Sequence, residues 1–118
     1  MNVGRFRDRA TLQRATVTNV RGVQQRAWDT TILSRAPVEV ETAAGDRLER
    51  VFGIGVGAER IEGVQQHLVT VRAPMDVRLT DRWIWHSHRG DIPLEVTAVR
   101  DAGALREFVI CACEERER

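Results

Sequence analysis

Lysine is missing from this chain altogether, and all 18 basic residues are arginine. Such a surface suits fork-shaped, bidentate contacts to carboxylate or phosphate, although a coding bias toward arginine codons is the simpler explanation. The 17 acidic residues leave a formal charge of only +1, so net charge does not mark a nucleic-acid binder. Long apolar runs are missing too. Nothing approaches the roughly 18 consecutive apolar residues of a membrane-spanning helix, and no membrane partner is expected. The first residues are charged from Arg5 onward and hold no apolar stretch of the kind a secretory signal needs; synthesis in the cytoplasm is the expectation. Cysteine occurs only as Cys111 and Cys113. Neighbours that close on one strand cannot bridge a useful loop, and they suit a reducing compartment.

What remains is a single-domain length, 118 residues, enough to bury one core. Two blocks of alternating, strand-like sequence, 9–41 and 67–113, flank a glycine-studded stretch. In the first block Ala10 and Leu12 fall on one face and Thr11 and Gln13 on the other. Asn19 to Gly22 reads as a turn into a second strand over 23–32, with Trp28 as its core anchor. A third strand alternates Ala36, Val38 and Val40 against Pro37, Glu39 and Glu41, and Pro37, having no N–H to donate, puts its start at an edge. Residues 43–66 read as a mobile, partly helical insertion. Leu48, Val51 and Phe52 are spaced for a short helix from Asp46, which Gly53, Gly55 and Gly57 end, and Gly63 weakens any helix after it.

In the second block, 67–73 is the clearest strand. Trp83 and Trp85 then share a face, Leu94, Val96 and Ala98 line one side of the next strand, and 108–113 is apolar on both faces, as a central or barrel strand is. The charged tail 114–118 is expected to fray. Short strands separated by turn signals indicate an all-β fold, a small antiparallel barrel or sandwich with a long insertion loop.

Chemical signals are sparse. Gly53, Gly55 and Ala58 satisfy a dinucleotide-type G-x-G-x-x-A spacing, with Asp76 downstream, but a Rossmann turn needs a buried strand before it and a sound helix after it. His86, His88, Cys111 and Cys113 form two x-one-x pairs that adjacent strands could join into a zinc site, while free cysteine in an apolar strand is usually a small hydrophobe. Ser87, His86 and Asp91 are too close in a turn to face one another as a triad. No cofactor, metal or catalytic residue is assigned, and the chain does not read as an enzyme. Arg5, Arg7 and Arg9 share a face if extended, without the aromatic platform of single-strand binders.

The order of features resembles one family. Gly4 to Gln13 opening the first strand, Gly22 with Trp28, Ala36 to Glu39, the strand His67 to Arg72, then Asp76-Val77, Asp81-Arg82, Leu94 to Asp101 and Arg106 to Cys111 together resemble the head-tail joining proteins of tailed phages, also called head-tail adaptor or head-closure (stopper) proteins. The likeness spans nearly the whole chain; Gly45 and Glu49 stand near where that family opens its insertion, but Asp46-Arg47-Leu48 departs from its commonest spacing. The resemblance implies a virion subunit, made in the host cytoplasm, that forms a ring, expected as a hexamer, at the head-tail interface of a phage or gene-transfer particle. Its partners would be other copies of itself, a portal-adaptor ring, a tail terminator or tail tube, and packaged DNA held nonspecifically. Candidate ring or partner contacts are Arg5, Arg7, Arg47, Arg50, Phe52, Gly53, Gly55, Gly57 and Arg60. The alternatives are a small zinc-binding β domain and a tail-terminator or tail-completion ring protein.

Overall fold

The computed structural model describes residues 6–42, 52, 64–73, 75–102 and 107–116. The helix expected from Asp46 and the glycine run 53–57 lie outside the described residues, Phe52 excepted. Six strands follow in order: β1 (Asp8–Val20), β2 (Val23–Thr42), β3 (Val64–Arg72), β4 (Asp81–Ser87), β5 (Gly90–Ala102) and β6 (Phe108–Arg116). They pair antiparallel throughout and close as a barrel in the order β1-β2-β3-β6-β5-β4. The expected all-β antiparallel fold is what forms, and closure removes the open edges that an isolated sheet would carry.

The barrel closes because each strand turns one apolar stripe inward. Leu12, Val38, Val69, Trp83, Leu94 and Cys111 are fully buried there, and Val77 joins them from the β3–β4 connection. Each fully buried leucine contributes about 1.5–3 kcal/mol relative to exposure. Trp83, not Trp28, is the aromatic that fills the interior. Trp28 is only half-buried, because its part of β2 lies outside the barrel wall.

Several strand limits differ from the sequence reading. The segments expected as two strands, 23–32 and 36–42, are one 20-residue strand. An extra residue is absorbed between the pairs Leu12↔Leu33 and Ala10↔Ala36, where Arg35 takes the left-handed region at φ 49°. Chain punctuation at 34–37 is therefore a bulge within a strand. Pro37 stands one residue before the β2–β3 ladder opens at Val38, at an edge as expected. β3 starts at Val64, so residues 64–66 belong to the barrel and not to the insertion. β6 continues through Glu114 and Glu115, which pair with Gln66 and Gln65, so that part of the tail is strand and not frayed.

On β5 a bulge between Val96 and Ala98 turns Ala98 outward and lets Val99 pack against the core. Ala98 therefore leaves the face it was expected to share with Leu94. It joins Leu68, Ile110, Ala112 and Phe52 in a second cluster on the outer face of β3 and β6. That cluster explains why β6 is apolar on both sides: Phe52, from within the insertion, packs over it.

Candidate functional site

β1 and β2 are much longer than the barrel requires. β1 pairs with β4 only over Ala10 to Arg14, and β2 pairs with β3 only over Val38 to Thr42. Beyond those points, among the described residues, the two strands pair with each other alone, from Thr16↔Ala27 out to Val20↔Val23. The result is a two-stranded arm, and the molecule measures 49 Å along one axis against 31 and 30 Å along the others. At about 3.3 Å per residue, residues 15–20 carry it roughly 20 Å past the wall. Arg21 (φ 52°) and Gly22 (φ 79°) close its tip; positive φ at both positions is the two-residue turn whose twist suits a hairpin. Val17, Val20, Val23 and Ile32 are exposed on the arm, and among the described residues only Leu79 adds a large exposed apolar side chain elsewhere.

The root of the arm is clasped. Arg14 Nε and Nη2 donate to the two carboxylate oxygens of Asp81 at 2.9 and 3.0 Å, and Nη2 also donates to the Asp76 carbonyl at 2.9 Å. Asp81 is buried with a side chain 0% exposed, and its second oxygen accepts the Arg78 backbone N–H. The hydrogen bond to Asp81 is the main cause that holds the Arg14 pKa above its ordinary value, against some desolvation. Bidentate arginine–carboxylate geometry of this kind is strong and directional. Arg82 adds a second clasp: its guanidinium lies 4.5 Å from the Trp28 ring centroid while Nε donates to Gln13 Oε1 at 2.8 Å.

Between the arm root and the end of β3 lies a cleft of about 490 Å³, with Leu33, Ala36, Val71 and Met75 among its apolar lining and Arg9, Arg35 and Arg72 around it. Close by, three side chains form a hydrogen-bonded line across β1, β4 and β5. Thr11 Oγ1 and His86 Nε2 are 2.8 Å apart, and His86 Nδ1 is 2.8 Å from Asp91 Oδ1. Ser87 takes no part, since its hydroxyl donates to the Gly90 carbonyl. A hydroxyl, an imidazole and a carboxylate in line satisfy the connectivity of a triad. Yet the Thr11 oxygen already accepts the Arg35 N–H at 3.1 Å. The line works as a strap that ties the β2 bulge to the barrel.

The four candidate zinc ligands are not brought together. Cys111 and Cys113 point into the barrel, His86 is engaged on the outer face, and His88 is exposed on the β4–β5 turn. Among the described residues no group of three or more His, Cys, Asp or Glu side chains is placed to hold a metal ion. Burial pushes the Cys111 thiol up to about 12, which the nearby Trp83 indole only partly offsets. Burial also raises Cys113. The third histidine, His67, is buried and bonded to Glu115 at 2.9 Å and to Thr42 at 3.3 Å.

Of the candidate partner contacts, Arg7 is exposed and Phe52 is half-buried against Leu68 and Ala112. Arg5, Arg47, Arg50, Gly53, Gly55, Gly57 and Arg60 lie outside the described residues. The β1–β2 hairpin was expected from the turn at Asn19 to Gly22, but its protrusion beyond the barrel was not. Its signal was there: from Thr16 to Thr31 the only large apolar residues are Val17, Val20, Val23 and Trp28, at no common strand period.

No family model matches the chain, and no curated protein matches it. Its fold is similar to the solution structure of protein SF1141 from Shigella flexneri 2a, with a TM-score of 0.62 and 24% identity over 98% of this chain and 96% of that one. At that identity the likeness concerns the fold.

Proposed function

We propose that this chain is a structural subunit of the head-tail interface of a tailed phage or gene-transfer particle, where copies form a ring that closes the DNA-filled head and offers the tail a docking surface. The observation that carries the reading is the division of one short chain into a closed barrel and a protruding arm. A closed barrel is a rigid body with no edge to offer, and the arm supplies a lateral contact unlike the rest of the described surface. Dissimilar lateral surfaces are what a head-to-tail ring requires, and the ring closes when the rotation between neighbours matches.

The reading assigns the chain no catalysis and no cofactor. Other copies, expected as a hexamer, are its first partners; a portal-adaptor ring lies on the head side and a tail terminator or tail tube on the other. Arg5, Arg7, Arg47, Arg50 and Arg60 are candidate contacts with other copies or partners, and packaged DNA in the channel would be held by nonspecific, salt-sensitive arginine contacts. Phe52, Gly53, Gly55 and Gly57 are candidate contacts with a neighbouring copy.

Sedimentation of the purified protein, alone and then with the portal-adaptor complex of its own gene cluster, tests this. Ring-sized mass alone or on the complex is the expected result. A monomer with no affinity for the complex sinks the proposal, and binding to tail tubes alone moves the chain to the tail-terminator role.

A further inference from the structure

The arm has two open backbone edges, and they differ. Residues 15–20 of β1 have no strand on the side away from β2, and residues 23–37 of β2 have none on the side away from β1, among the described residues. An isolated two-stranded ribbon is marginal in water, and unpaired edges invite a further strand. Natural edge strands are commonly blunted by lysine, by proline or by charge. Here proline appears only at Pro37, at the root, and residues 15–20 hold no charged side chain at all. Instead they hold Thr16, Val17, Thr18 and Val20, residue types that suit a paired strand.

We infer that the arm is an assembly element, in which the β1 edge of one copy pairs with the β2 edge of the next. The occupant is a second copy of this chain because the two edges complete each other. β1 and β2 run in opposite directions, so arms set side by side in the same orientation bring β2 of one copy antiparallel to β1 of its neighbour. Each copy then covers one edge of each neighbour, and ring closure leaves none open. A two-fold pairing of β2 with β2 leaves both β1 edges bare. A foreign strand covers one edge only. Charge also permits the head-to-tail pairing with the arms level, since residues 15–20 are neutral and meet Arg26 and Asp29 without like-charge opposition. Val17, Val20 and Val23, exposed in the single chain, gain cross-strand side-chain neighbours in the continuous sheet. This deepens the ring reading by naming the contact, and it stands apart from what the ring serves.

Engineered thiols test it cleanly, because Cys111 and Cys113 are buried and their ionisation is suppressed. Thr18→Cys and Gln25→Cys proteins are prepared separately, with Arg89→Cys, on the β4–β5 turn, as a collision control. Each is treated with a mild oxidant alone and in a 1:1 mixture, at the highest concentration that stays soluble, since a disulfide forms only between adjacent strands and not across two. The expected result is covalent dimer in the Thr18→Cys and Gln25→Cys mixture, several-fold above either protein alone and above any mixture with Arg89→Cys. Dimer from either arm variant alone, at the level of the mixture, overturns head-to-tail pairing in favour of a two-fold contact. No excess in the mixture overturns arm pairing altogether. Ring-sized mass without that excess removes the arm contact and leaves the ring reading standing. The excess in a protein that ignores the portal-adaptor complex establishes the contact and removes the head-tail role.

Discussion

The barrel and the arm are made of the same two strands and obey different rules. Along 8–14 of β1 and 36–42 of β2, strict alternation buries Ala10, Leu12, Ala36 and Val38. Further out the same strands carry threonine, valine and glutamine with no inward face, and almost everything is exposed. Burial holds the first part together; in the second, among the described residues, the hairpin ladder, the Thr16–Asp29 hydrogen bond and the root clasps do. A single chain thus contains a packed region and a region that the rest of the described chain leaves uncovered.

The sharpest way to break that contrast is at the barrel centre. Trp83→Ala empties the largest fully buried side chain and is expected to cost about 3–5 kcal/mol, read as a lowered midpoint in urea. A change of under 1 kcal/mol there contradicts a packed barrel. Asp81→Ala, at the border between the regions, leaves Arg14 without its bidentate partner and the Arg78 N–H without an acceptor. About 3 kcal/mol of lost stability is expected, with hydrogen exchange rising first at the arm root.

Alkaline pH tests the interior more selectively, since the chain has neither lysine nor tyrosine and its thiols are the main side chains titrating between about pH 9 and 12. Burial raises the Cys111 pKa from 9.0 to about 12, so the folded state keeps a proton that the unfolded chain releases. The contribution is complete below pH 9 and is lost as pH rises toward 12; at pH 10 one such thiol costs about 1.4 kcal/mol. Cys111→Val should flatten that decline, and an unchanged pH profile in this variant contradicts the assignment. Smallest of all is the arm: Trp28→Ala removes the stacking of Arg82 and is expected to cost about 0.5–1 kcal/mol, with the barrel's near-ultraviolet signal from Trp83 and Trp85 retained. Loss of cooperative folding in Trp28→Ala erases the distinction between the two regions.

Much of the barrel was legible from alternation. Ala10 and Leu12, Trp83, Leu94 and the two-faced run at β6 each took the face their spacing indicated. Legibility failed where one residue changed the count. The bulge at Arg35 made one strand look like two, and the bulge before Ala98 moved that residue to the outer cluster. Local sequence carries little mark of a bulge when the extra residue is not glycine. Trp28 failed for another reason: a tryptophan signals burial, but its cover is one guanidinium from a strand more than fifty positions away. The Arg14–Asp81 clasp was hidden in the same way, as neither residue stands in any local pattern with the other.

From the sequence alone came the strand-forming character of the chain, the inward stripe of most barrel segments and the hairpin tip at Gly22, because side-chain periodicity and turn chemistry act over a few residues. Only the tertiary structure decided which strands close on which, where the wall ends and how far the arm runs beyond it. Those depend on where β3 and β4 stop pairing with β2 and β1, and a strand's length does not reveal how much of it finds a neighbour.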